Sequence, residues 1–261
     1  ARGEAAAEVR FEVADLLARV GATQVRRVVD LGCGPGNLTR RLKRRWPEAD
    51  VLGLDSSPAM VSAARREAAR GEAAAEVRFE VADLRDWRAE RPVDVLVSNA
   101  TLQWVPGHLD LLPRLASQVA PGGWFAIQVP GNFTAPSHRL LAELAAEDRF
   151  APYVAHTTRP DAHGPEAYLE ALLDLGCRAE AWETTYLHLL QGEDPVFTWV
   201  SGTGARPVLE ALPDGLREEF ETSYKRLLRA AYPPGPHGTM LPFRRVFAVA
   251  QMPEDHQAAA E

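Results

Sequence analysis

Among 261 residues there are only two cysteines, three methionines and two lysines. Cys33 and Cys177 form no CxxC pair and no metal spacing. A disulfide scaffold and a zinc module are therefore excluded, and reduced thiols and no metal are expected. No run approaches the roughly 18 consecutive apolar residues of a membrane span. The first residues, 1–8, are charged and lack the apolar centre of a signal peptide, so a cytoplasmic chain is expected. A basic excess is missing as well. Net charge is -7, which speaks against a nucleic-acid partner. A small-molecule partner is expected, with no membrane association, in a monomer or small homo-oligomer.

Since Lys43 and Lys225 are the only lysines, nearly all positive charge is arginine. Most of this reads as a composition bias. A few of the arginines can serve carboxylate recognition, because the guanidinium fork matches carboxylate oxygens.

What is present suits one large α/β domain, or one domain carrying an insertion: 46% hydrophobic and 25% charged residues. Residues 1–16 are identical to residues 69–84. No third copy exists, so this is not a solenoid. The two copies stand in different contexts. Val77-Arg78-Phe79-Glu80-Val81 alternates like a strand, whereas Val9, Val13, Leu16, Leu17 and Val20 fall at helical spacing.

The pattern predicts a helix over 11–20, ended by Gly21, then a short buried strand over 27–31. A glycine loop follows, with an arginine-rich helix over 37–46. A second strand, 51–54, ends at Asp55. Ser56 or Ser57 caps the next helix, which has Pro58 in its first turn and runs to about Arg70. Strands are predicted at 77–82 and 93–98, a helix at 108–119 and a fifth strand at 124–129. This alternation means a parallel sheet with helices on both faces. Beyond Gly131 the rhythm changes. Helices are expected at 137–147 and 164–175, a long strand at 178–189, mostly helix over 195–232 and a last strand at 244–251. The whole reads as one domain over 1–252 with a helical insertion at about 191–240 and a disordered tail at 253–261.

Chemistry concentrates at strand ends. Asp30 precedes a loop with Gly32, Gly34 and Gly36, where the missing Cβ atoms let a ligand approach the backbone. The third glycine of a dinucleotide fingerprint would fall at Asn37, which argues against a nicotinamide enzyme. Asp55 ends the second strand and can accept both hydroxyl hydrogens of a ribose. Asp83, with Leu84, ends the third and is placed to meet an adenine edge. One such turn is weak as a signal; three in register are hard to explain separately.

With these residues the chain resembles the class I S-adenosylmethionine-dependent methyltransferases. Val28 to Gly36 resembles their first motif and Leu54 to Met60 their second. The resemblance implies a Rossmann-like, seven-stranded doubly wound sheet of order 3-2-1-4-5-7-6, with the seventh strand antiparallel. It assigns the cofactor to Asp30, Gly32, Cys33, Gly34, Gly36, Asn37, Asp55, Ser56, Met60, Asp83, Leu84 and Asn99. Within that class, residues 98–105, 128–133, 182–188 and 242–245 are similar to the trans-aconitate methyltransferases, over about residues 17–252. The chain departs from them before its first helix, where the copied ARGEAAAE stands in place of an aromatic- and arginine-containing segment.

The implied reaction is methyl transfer to a carboxylate of trans-aconitate, giving a monomethyl ester and S-adenosylhomocysteine. The alternative is another small acid or acyl thioester on the same fold. A carboxylate of pKa near 4 is already ionised at pH 7 and needs no general base. The candidates for holding it are Gln103, Trp104, Asn132, Tyr186, His188, Arg244 and Arg245. Strand alternation allows at most one of the two adjacent arginines to face the acceptor.

Overall fold

The structure is a computed structural model that describes residues 13–70, 77–157 and 159–255. Helix α1 covers residues 13–18 and buries Val13, Leu16 and Leu17. The apolar run Arg27–Leu31 forms β1, and the glycine loop turns it into α2 (Asn37–Arg45). Strand β2 (Asp50–Asp55) leads to α3 (Pro58–Ala69). Ser57, not Ser56, caps α3: its Oγ accepts from the Met60 N–H at 3.4 Å, and Pro58 occupies the first turn, where no N–H is needed. Next come β3 (Val77–Val81) and β4 (Val93–Asn99).

The helix predicted at 108–119 is shorter and divided. Residues His108–Leu111 form a 3-10 turn, and only Leu112–Ala116 is α-helical (α4). Pro113 explains the break, since it cannot donate back into the preceding turn but fits the start of a helix. Strand β5 (Val119–Pro130) starts five residues earlier than predicted. It absorbs Pro121-Gly122-Gly123 as an irregularity: Val93 pairs with Val119, but Val95 pairs with Trp124.

The remaining elements are α5 (Pro136–Ala145), α6 (Ala151–Val154), α7 (Pro165–Leu173), β6 (Arg178–Leu190), α8 (Pro195–Ser201), α9 (Arg206–Ala211), α10 (Asp214–Ala231) and β7 (Thr239–Gln251). The short α6 was not foreseen, and β7 begins before the predicted Arg244.

The strands form one sheet of order β3-β2-β1-β4-β5-β7-β6. The pairs β1–β2, β1–β4, β2–β3 and β4–β5 are parallel. Strand β7 runs against β5: Gly131 donates to the Arg244 carbonyl, whereas Gly123 accepts from the Met252 N–H. Residue numbers thus fall along β7 as they rise along β5.

By internal packing the chain divides into two compact units. The sheet unit holds the described residues of 7–129, 163–183 and 246–261. Its interior is apolar, with Leu31, Leu42, Leu54, Leu96 and Phe125 fully buried. Each such side chain contributes about 1.5–3 kcal/mol. The helical unit holds the described residues of 130–162 and 184–245. Its core includes Leu141, Phe150, Phe220, Tyr224 and Leu228, and the Phe150 and Phe220 rings meet edge to face at 5.0 Å. Two tyrosines fix the start of α5. Tyr224 donates to the Ser137 carbonyl at 2.8 Å, and the Tyr232 hydroxyl accepts from the Ser137 N–H at 3.1 Å. Helices α8, α9 and α10 all belong to this unit, together with α5, α6 and the adjoining parts of β6 and β7.

The repeated segment can be followed only in part, because residues 1–12 and 71–76 lie outside the described residues. The identical tetrapeptides Val13–Leu16 and Val81–Leu84 nevertheless differ. The first is helical; the second closes β3 and enters a loop. Tertiary context decides, since neither conformation is strongly preferred locally. Of the expected tail, residues 253–255 are described and the rest is not.

Candidate active site

The three loop glycines all take positive φ: 71° at Gly32, 52° at Gly34 and 77° at Gly36. Their surroundings differ. A Cβ on Gly32 would collide with the Thr101 side chain, and one on Gly36 would lie 2.7 Å from the Phe79 ring. Around Gly34 there is nothing within 4 Å. Gly32 and Gly36 are therefore glycines for packing. Gly34 is the one whose bare backbone faces open space, as close ligand approach requires.

The loop is tied to β2. The N–H groups of Gly32 and Cys33 share the Leu54 carbonyl at 2.7 and 2.8 Å. Asp55 then holds both sides of the crevice: Oδ2 accepts from the Gly34 N–H and Oδ1 from the Ser57 N–H, each at 2.9 Å. One lone pair on each oxygen is thereby used. The other on each is available to a vicinal pair of hydroxyls.

Asp30 is only 1% exposed, and its Oδ2 accepts from Thr39 Oγ1 at 2.7 Å. Burial is the main cause that pushes its pKa up to about 7; the Thr39 bond opposes this and the Asp55 charge adds to it. The Thr39 bond ties α2 to β1. Burial, and then the Asp30 and Asp55 charges, push the Cys33 thiol up to about 12. It is therefore a neutral packing group, not a nucleophile.

The other cofactor candidates divide. Met60 is exposed and apolar at the start of α3, and Ser56 is exposed beside Asp55. Leu84 is buried. Asp83 is already engaged, because Arg85 clamps it through its backbone N–H, Nε and Nη2. The Arg85 side chain, before its backbone N–H, lowers the Asp83 pKa. Asn37 opens α2, and its exposed side chain accepts from Arg40 Nη2 at 2.8 Å. Asn99 lies at the end of β4 with its Oδ1 buried and without a partner.

Three contributors were not singled out from sequence. Thr101 donates to the carbonyls of Gly32 and Asn99, at 3.2 and 3.1 Å. Phe79 supports the loop from β3, and a Cβ on Gly53 would also lie 2.7 Å from its ring. Arg114 on α4 donates to the carbonyls of Leu84 (2.5 Å) and Trp87 (2.9 Å), which fixes the loop after β3. The alternating run over 77–81 puts Phe79 on an apolar strand face, but does not tie it to the glycine loop. Arg114 gave no sequence signal.

Acceptor candidates lie in both units. In the sheet unit, Gln103 is 6% exposed and donates Nε2 to the Ala100 carbonyl at 2.7 Å, while Trp104 is half exposed. In the helical unit, Tyr186 and His188 share the half-buried face of β6, and His188 packs 4.8 Å from the Trp199 ring. The adjacent arginines differ as alternation requires: Arg245 is buried with its guanidinium 4.4 Å from the Phe243 ring, and Arg244 is half exposed. Asn132 is corrected. Its Oδ1 accepts from the Arg244 N–H at 2.7 Å and its Nδ2 donates to the Arg244 carbonyl at 3.0 Å. Both ends of a buried carboxamide thus extend the backbone ladder between β5 and β7, so it is not presented to a ligand.

No cluster of three or more metal-ligating side chains occurs among the described residues, and none of their helices is long and apolar enough to cross a membrane.

Comparison with known proteins agrees with this geometry. Residues 28–123 match a family described as a methyltransferase domain. Trans-aconitate 2-methyltransferase of Streptomyces avermitilis is 55% identical over 241 residues, covering 91% of this chain and 90% of the relative. The enzyme of that name from Streptomyces coelicolor is 53% identical, with 92% and 81% covered. Among solved structures, geranyl diphosphate C-methyltransferase from Streptomyces coelicolor superposes with a TM-score of 0.53 at 18% identity, over 93% of this chain and 77% of that one. The YcgJ protein of Bacillus subtilis gives 0.60 at 12% identity, over 94% and 99%. At such identities these two establish the shared fold alone. The relatives at half identity establish more: the chain belongs to the trans-aconitate 2-methyltransferase family of S-adenosylmethionine-dependent methyltransferases.

Proposed function

We propose that the chain transfers the methyl group of S-adenosylmethionine to a carboxylate of trans-aconitate, giving a monomethyl ester and S-adenosylhomocysteine. The observation that carries this reading is the 55% identity to an enzyme of that name across nine-tenths of both chains.

The residues fit the cofactor. Gly34 offers an unobstructed backbone, and Asp55 has one lone pair on each oxygen for the ribose hydroxyls. Met60 is assigned the apolar cover of the base, and the Asp83-Leu84 turn, whose carboxylate Arg85 also holds, its edge. When bound, S-adenosylmethionine supplies an electrophilic methyl on a sulfonium.

The chain's own task is placement. The acceptor carboxylate is ionised at neutral pH, so no residue has to remove a proton. Asp30 at the end of β1 and Cys33 in the loop are poorly suited to do so: the first is buried against Thr39 and the second is a thiol with a pKa of about 12. Holding acceptor and donor in line is worth up to about 7–11 kcal/mol. Arg245, with Tyr186 and His188, is assigned the carboxylates that do not react. A neutral wall next to the reacting oxygen preserves its nucleophilicity better than a tight ion pair would.

Methyl-labelled cofactor and a panel of small acids and acyl thioesters test this. Mass spectrometry should find the label on aconitate, as one methyl ester. Label on another acid or on a thioester, with aconitate unchanged, would overturn it.

A further inference from the structure

Among the described residues, five polar side-chain atoms at the ends of β4 and β5 and in the turn after β4 are buried without a partner: Ser98 Oγ, which alternation puts on the opposite face from Asn99, and four more, Asn99 Oδ1, Gln103 Oε1, and both Oε1 and Nε2 of Gln128. Gln128 is 0% exposed. Leaving a buried polar atom unpaired costs about 1–3 kcal/mol, so such a group calls for a partner, and a ligand or an ordered water can supply it. A Met or Leu would fill the same volume in the sheet without that cost. Four orphans on three neighbouring residues are therefore not explained by packing.

The sheet register joins them. Asn99 pairs with Gln128, so their side chains share a face. Asp30 pairs with Val97, two residues before Asn99, and lies on that face too. Ala100 links the rest: its N–H donates to the Gln128 carbonyl at 2.9 Å and its carbonyl accepts from Gln103 Nε2 at 2.7 Å. That bond fixes which end of the Gln103 amide stays unpaired. Ala100 itself has φ 53°, a left-handed conformation that a non-glycine residue adopts at some cost.

Position supplies the role. The strand ends assigned to the cofactor run from β3 with Asp83 through β2 with Asp55 and β1 with the glycine loop to β4 with Asn99. The next strand in the sheet is β5, which carries Gln128. We infer that Gln128 is an acceptor-binding residue, its Nε2 donating a hydrogen bond to a carboxylate of the acceptor. A carboxamide suits this place. It orients a carboxylate through a neutral donor, without the ion pairing that would draw charge from an oxygen that must attack. The inference rests on the proposed activity, since it takes the acceptor to be a carboxylate.

The test is calorimetry on the protein saturated with S-adenosylhomocysteine, titrated with trans-aconitate, for the unaltered chain and for Gln128→Met and Gln128→Asn. Loss of the donor in Gln128→Met should weaken aconitate binding at least tenfold while S-adenosylhomocysteine binds within twofold of normal. Gln128→Asn, which keeps an amide but withdraws it, should fall between. Retained S-adenosylhomocysteine affinity also reports that each variant is folded; if Gln128→Met does not fold, Gln128→Asn alone decides, with weakening of fivefold or more expected. Aconitate affinity within twofold of normal, or an equal loss for S-adenosylhomocysteine, overturns the role of Gln128. Failure of the unaltered protein to bind aconitate overturns the proposed activity, and this assignment with it.

Discussion

The Gly34 N–H donates to Asp55 Oδ2 at 2.9 Å, so the acid assigned to the ribose also holds the loop that receives the rest of the cofactor. The two halves of the site are coupled through one carboxylate. Asp55→Ala should therefore lose more than a ribose contact, because the Gly34 and Ser57 N–H groups both lose their acceptor. Calorimetry should detect no S-adenosylmethionine binding to this variant. Asp55→Asn keeps one acceptor oxygen and should retain weak binding. Normal affinity in Asp55→Ala would refute the ribose role.

Gly32 and Gly34 separate packing from ligand approach. Gly32→Ala meets Thr101 and also carries the left-handed penalty of about 1–2 kcal/mol. It should lower the melting temperature markedly. Gly34→Ala carries a similar backbone penalty but meets no atom. Its melting temperature should fall less, while cofactor affinity falls at least tenfold. Equal melting losses in the two variants would show that the space around Gly34 has no special role.

Asp30 gives a pH prediction. Burial raises its folded pKa to about 7, from 3.8. Between those values the native state binds more protons than the unfolded chain. Stability from this group is thus complete below pH 3.8, is lost as pH rises towards 7 and changes little above that. Asp30→Asn removes the titration yet can still accept from Thr39. Urea unfolding of both proteins from pH 4.5 to 8.5 should show the stability difference, unaltered minus variant, falling up to about pH 7 and then levelling. A flat or rising difference would contradict the burial of an ionisable Asp30.

The fold was legible because its signals are local and repeated. Strand runs ended in Asp30, Asp55 and Asp83, and Gly or Pro punctuated each helix. What failed was whatever depends on partners far away in sequence. Asn132 has a side chain of the right chemistry, but the Arg244 backbone, 112 residues further on, occupies it. Thr101, Phe79 and Arg114 act by filling or fixing space around the loop, and nothing near them in sequence reports that. Gln128 reads as one polar residue in a buried strand; only its burial without partners distinguishes it. Val13–Leu16 and Val81–Leu84 show the limit plainly, as the same four residues form helix in one place and strand end in the other.

Adjacent Arg244 and Arg245 should respond unequally to truncation. Arg245 lies on the buried face of β7 beside Phe243, whose ring also meets His188 at 6.1 Å and Trp199 at 5.8 Å. A guanidinium placed among aromatic rings is weakly hydrated, and a carboxylate met there is bound more strongly than at the surface. Arg244 is half exposed, and its Nη1 donates to the Gly131 carbonyl at 3.3 Å. Its contribution to the ladder comes mostly from backbone atoms, which alanine retains. Arg245→Ala should raise the KM for aconitate at least tenfold with the KM for S-adenosylmethionine little changed, whereas Arg244→Ala should alter either by less than threefold. Lysine at 245 should recover only part of the loss, because a point charge cannot reproduce the planar fork. Equal, mild effects from both alanine variants would remove Arg245 from the acceptor site and leave the carboxylates to be held by other residues.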